Sequence, residues 1–172
     1  MYNVNESFEE QFENAKFADH IEVHTTGKNE NLFGVFEFLK NNFAGELGIC
    51  ISKNHDKKEK IEIIEKVKRT IYPRKLIVQA DGNSISGHDN EISTTQKTIE
   101  ECKNLQNVKD IILIAAGGTN LKTAELAKMS CVKIDGIAWG SYARKILFDD
   151  KNTDEKTKLQ SAKNLIQTLT LI

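Results

Sequence analysis

Apolar runs of strand length alternate with helix-period segments five times along the chain. The runs are His20–Thr25, Leu47–Ser52, Lys75–Ala80, Asp110–Ala116 and Ile134–Trp139. Several are almost continuously apolar, as expected of parallel strands covered on both faces. Between them the period becomes helical. Ile61, Ile64, Val67 and Ile71 share one face of the segment Lys57–Ile71, whose other face is Lys and Glu and is expected to be solvated, and Phe33, Phe36 and Leu39 do the same for Asn31–Asn41. Ser93 and Gln96 have capping-box spacing ahead of a helix that buries Ile99, Cys102 and Leu105. Leu121–Met129 reads as a short helix with small residues at Ala124 and Ala127. A helix over Glu6–Phe17 precedes the first strand, and another over about residues 155–169 follows the last. Pro73, the only proline, falls between a helix and a strand, where its missing N–H does no harm.

Strands that alternate with helices predict an α/β fold of five consecutive βα units, joined by right-handed crossovers into a parallel sheet. The strand starts run from residue 20 to residue 134, about 28 residues per unit. A TIM-type barrel uses roughly 31, and five strands cannot close an eight-stranded ring. The rhythm therefore predicts an incomplete TIM-type barrel, its C-terminal part, with an open doubly wound sheet as the alternative. A chain of 172 residues is expected to form one α/β domain over residues 1–172.

Composition narrows the function classes. With 24 basic and 25 acidic residues the chain lacks the basic footprint of a protein that binds duplex nucleic acid. No run approaches the roughly 18 apolar residues of a membrane span. The segment Met1–Glu6 has neither a basic start nor an apolar run, so no secretory signal is expected. Cys50, Cys102 and Cys131 are widely spaced and never in C-x-x-C arrangement. They read as reduced thiols in a reducing cytoplasm, with no metal site.

In either parallel fold, ligands bind at the carboxyl ends of the strands, and the chain's unusual polar residues gather there. His24 ends the first run. Gln79, Asp81 and Gly82, followed by Ser86 and Gly87, end the third. Gly117, Gly118, Thr119 and Asn120 follow the fourth, and Gly140, Ser141 and Arg144 follow the fifth. Glycine turns before a helix, Gly117-Gly118 and Gly140-Ser141, expose backbone N–H groups to an anion, and two such turns after successive strands are the usual phosphate site of barrel enzymes. The same glycines also suit ordinary βα turns, with Asn120 as a helix cap. Asp81 is a candidate to orient a hydroxyl or cation, or else a turn residue bonded to its own loop. His24 is a candidate general base or ligand, or else a histidine bonded to a neighbour. No catalytic residue beyond these two candidates suggests itself: Ser-His-Asp spacing, a P-loop and H-E-x-x-H are all missing.

Four of these blocks together carry a resemblance. Ala18–Thr25, Gln79–Gly87, Ala116–Asn120 and Gly136–Arg144 resemble, in order and spacing, the C-terminal domain of the cyanobacterial light-dependent period protein family. The likeness covers about residues 18–148 and leaves out the helix at about 155–169. It implies a regulatory or sensory domain of a redox-responsive iron–sulfur protein that gives input to the circadian clock. The cluster cysteines of that family lie in a ferredoxin-like segment upstream of this region, so the chain itself is expected to hold no cofactor. It reads as a fragment of a longer protein or as a separately encoded C-terminal half. The implied partners are clock-input or electron-transfer proteins, an upstream half of the barrel, or a second copy. A phosphate- or flavin-binding barrel enzyme, with its anion held by the two glycine turns, is the competing expectation.

Overall fold

The five apolar runs form one parallel sheet in the computed structural model, which describes residues 8–25, 31–51, 55–81, 92–117, 119, 121–138, 154–160 and 163. The elements alternate as α1 (Phe8–Ala15), β1 (His20–His24), α2 (Leu32–Asn42), β2 (Glu46–Cys50) and α3 (Lys57–Ile71). They continue with β3 (Leu76–Asp81), α4 (Ile92–Leu105), β4 (Ile111–Ala116), α5 (Leu121–Met129) and β5 (Gly136–Ile137). Residues 155–160 are also helical.

The strands lie in the order β1-β2-β3-β4-β5, every neighbour parallel, and the sheet is open. The doubly wound alternative requires a reversal of strand order, and the described strands contain none. β5 is preceded by Asp135, which pairs with β4 by side chain as well as main chain. Its carboxylate accepts the Leu113 N–H at 2.8 Å, and its own N–H donates to the Leu113 carbonyl at 2.8 Å.

Strand periodicity sorts the side chains onto two faces. Leu47 and Ile49 of β2, Leu76, Val78 and Ala80 of β3, and Leu113 and Ala115 of β4 join the buried core built with the helices. Phe36 and Leu39 of α2, Ile64, Val67 and Ile71 of α3, and Ile99, Cys102 and Leu105 of α4 complete it. Full burial of one such aliphatic or aromatic side chain contributes about 1.5–3 kcal/mol, so this layer holds the sheet in place. Ala127 is buried as its helical face predicts.

Two expectations need correction. The helix expected to follow Ser93 already includes it, because α4 runs from Ile92. A capping box stands at α3. The Asp56 carboxylate accepts the Glu59 N–H at 2.9 Å, and Glu59 accepts the Asp56 N–H at 3.0 Å. The polar face of α3 is also not wholly solvated. Lys60 is only 7% exposed and bonds Glu101 of α4 at 2.7 Å.

Candidate functional site

The sheet face turned away from the core carries the polar strand residues. Residues of opposite parity to the core set lie there: His20, Glu22 and His24 of β1, Gly48 and Cys50 of β2, and Ile77, Gln79 and Asp81 of β3. Strand pairing aligns them in rows. His24 pairs with Cys50, Cys50 with Gln79, Gln79 with Ile114, and Ile114 with Gly136. One transverse row thus crosses all five strands, with His24, Cys50 and Gln79 side by side at the roughly 4.8 Å spacing of neighbouring strands.

Two of the expected site residues, His24 and Gln79, therefore share one row, with Cys50 between them. Asp81 stands two residues further along β3, opposite Ala116, half-buried and already engaged by another group. Gly117 follows β4 at φ 75°, a left-handed conformation that strains any side-chain-bearing residue. Its carbonyl accepts the Thr98 hydroxyl at 2.8 Å, and the Ala116 carbonyl accepts the same hydroxyl at 3.1 Å. Thr119 is 5% exposed and donates its hydroxyl to the Ala138 carbonyl at the end of β5. The Ala116 and Gly117 carbonyls and the Thr119 hydroxyl thus tie α4, β4 and β5 together. Gly82, Ser86, Gly87, Gly118, Asn120, Gly140, Ser141 and Arg144 lie outside the described residues.

At the β1 edge the row becomes a cluster of metal-ligating groups. His24 Nε2 donates to Glu22 Oε1 at 2.7 Å, with the His24 side chain 50% exposed and that of Glu22 13% exposed. Cys50 is buried beside them, and donor atoms of Glu22, His24 and Cys50 all lie within 4.8 Å of one another. Hydrogen bonding with Cys50, then with Glu22, raises the His24 imidazole from its ordinary 6.5 to about 10, against the opposing effect of partial burial. Two polar atoms here are buried with no hydrogen-bond partner, Glu22 Oε2 and His20 Nδ1. Gly48 lies under the neighbouring His20 ring. A Cβ at Gly48 would stand 2.7 Å from His20 Cε1, so glycine gives that ring room to lie over β2, and 3.5 Å from Glu22 Cγ, an ordinary contact distance.

Glu22 and Cys50 were not among the expected site residues. The alternation His20-Ile21-Glu22-Val23-His24 was their available signal, because a period of two puts three polar groups on one face of a strand expected to be apolar on both.

A cavity of about 370 Å³ opens at the other end of this face, lined by Asp19, Gly45, Glu46, Arg74, Ile77 and Ile112 among others. Arg74 is held there by the Phe43 and Gly45 carbonyls, which both accept from its guanidinium. The cavity lies at the amino ends of the strands, opposite the end where parallel sheets bind ligands.

The iron–sulfur expectation can be set against these residues. Such clusters take four cysteine thiolates, or two together with two histidines. Cys50 and Cys102 are buried, Cys131 is exposed, and the one donor cluster among the described residues contains a single thiol. The chain's own cysteines do not fit an iron–sulfur cluster. No helix among the described residues is long and apolar enough to cross a membrane.

A family model described as the light dependent period A C-terminal domain matches residues 14–171. Comparison with curated proteins finds no match, and comparison with solved structures finds none.

Proposed function

The chain belongs to the light dependent period A C-terminal domain family, and from that premise we propose that it is a regulatory module giving input to a circadian clock. The observation that carries the reading is the extent of the match, residues 14–171, which takes in β1 to β5 and every block on which the resemblance rests. A module of this kind acts by presenting a surface or a ligand-dependent state to partners, and clock-input or electron-transfer proteins are the partners it would meet. Redox responsiveness enters through cysteine-bound clusters on a companion segment, since the cysteines of this chain do not suit one.

The sequential parallel order supports a finer reading of the fold. Consecutive neighbours without reversal are how β/α-barrel strands run, and the five strands would be the C-terminal arc of such a barrel. The polar face of the sheet would then line its interior.

The test is genetic and biochemical together. In the organism that encodes the chain, deleting its gene should alter how the free-running period depends on light level. Affinity capture with the intact chain should recover a clock-associated or electron-transfer protein. An unchanged period response, with neither class of protein recovered, overturns the proposal.

A further inference from the structure

The β1–β2 polar cluster has no part in the regulatory reading above, yet its chemistry is specific. Glu22 and His24 are two residues apart on an edge strand and so project on the same face, while strand pairing sets Cys50 directly beside His24. These positions bring one carboxylate, one imidazole and one thiol within 4.8 Å of one another. Tetrahedral zinc bonded to oxygen, nitrogen and sulfur at about 2.0–2.3 Å holds its donor atoms roughly 3.5 Å apart. Small side-chain adjustments therefore close the three donors around one ion.

A second observation points to a ligand independently of the donor count. Glu22 Oε2 is buried without a hydrogen-bond partner, in a side chain only 13% exposed. A buried carboxylate oxygen left without a donor is costly, and a cation beside His24 and Cys50 would satisfy it. His24 is half exposed, which gives an ion a way in from solvent.

We propose that Glu22, His24 and Cys50 form a three-ligand site for one borderline-soft divalent transition-metal ion, of the zinc type, with a fourth position open to water or a partner's ligand. Thiolate and imidazole donors select such an ion over magnesium or calcium, which favour all-oxygen sites. On binding, Cys50 loses its thiol proton and His24 the Nε2 proton that now bonds Glu22, and both pass to solvent. No electron moves.

The full chain, stripped with a chelator and kept reduced, is titrated with Co2+ as a spectroscopic probe and then challenged with Zn2+. The expected result is one Co2+ per chain, a thiolate-to-cobalt charge-transfer band, and loss of that band as Zn2+ displaces the probe. Cys50→Ser should abolish the band. Glu22→Gln and His24→Gln should keep it but weaken binding about tenfold or more. Cys131→Ser, at an exposed thiol outside the cluster, should change neither. Circular dichroism checks the fold of each variant, and His24→Gln, at a half-exposed position, carries the test if Cys50→Ser does not fold. The proposal is overturned by a folded chain with no charge-transfer band, by a band that survives Cys50→Ser or vanishes in Cys131→Ser, or by affinity unmoved in both Gln variants. None of these outcomes depends on the clock-input reading, which stands or falls on period and partner measurements.

Discussion

Gly117, a candidate ligand contact, also has a structural duty. Its φ of 75° turns the chain out of β4, and the Thr98 hydroxyl pins the Ala116 and Gly117 carbonyls from α4. A Cβ in that conformation is strained by about 1–2 kcal/mol. Gly117→Ala should therefore lower stability by that amount in urea unfolding, with the denaturant slope unchanged. A variant as stable as the parent would mean that the turn relaxes freely. The need for glycine here was legible from the Gly-Gly spacing alone. The duty of Thr119 was not, because its partner Ala138 lies on another strand 19 residues away. The same holds for Cys50, whose place beside His24 exists only once β1 and β2 are paired in register. Alternation along a strand shows which residues share a face, and pairing decides which of them touch.

Among elements, the strands and α3 and α5 follow the hydrophobic pattern closely, since periodicity is set by the core they must face. Helix ends and charged faces were less legible. Ser93 with Gln96 and Asp56 with Glu59 have the same spacing; the second pair forms a capping box ahead of α3, whereas Ser93 falls inside α4. Lys60 sits in a Lys/Glu run that reads as solvated, but Glu101 on α4 reaches it and allows its burial. Such a partner is set by helix packing and leaves no mark on the local pattern. Asp154 offers a cap that can be titrated. Its carboxylate accepts the Thr157 N–H at 2.9 Å and the Thr157 hydroxyl at 2.7 Å. The Thr157 side chain and then its N–H hold the carboxyl below its ordinary 3.8. A carboxyl depressed in the folded state stabilises above its unfolded value, and that contribution is lost as pH falls through the folded value. The amide resonance of Thr157 should thus titrate with a midpoint under 3.8. In Asp154→Ala that titration should disappear and the turn at 155–160 should be less helical at neutral pH. A midpoint at or above the ordinary value would show that the cap does not form in solution.

At the scale of the whole molecule, sequential strand order gives every βα unit the same two jobs, extending the sheet and covering one face of it. The buried core accordingly runs without a break from Phe12 on α1 through Phe36 on α2 and Ile64 on α3 to Cys102 on α4 and Ala127 on α5. A layer shared in this way should open as one unit, and the cysteines report on it. Cys102 is completely buried, and burial, followed by the charge of Glu101, pushes its thiol up to about 12. Cys131 is exposed. In the native chain an alkylating reagent should label Cys131 at once and reach Cys102 only through opening. Phe36→Ala, two helices away in the chain, removes a fully buried ring and should cost about 3–5 kcal/mol. If the layer is cooperative and reclosing is fast, labelling at Cys102 tracks the open population, and its rate should rise by about a hundredfold or more. The unfolding midpoint from circular dichroism should fall in step, and the Cys131 rate should stay where it was. Peptide-level mass spectrometry separates the sites. A midpoint that falls while the Cys102 rate stays fixed would mean that α2 and α4 open independently, and that this sheet is covered by separable helices rather than by one cooperative layer.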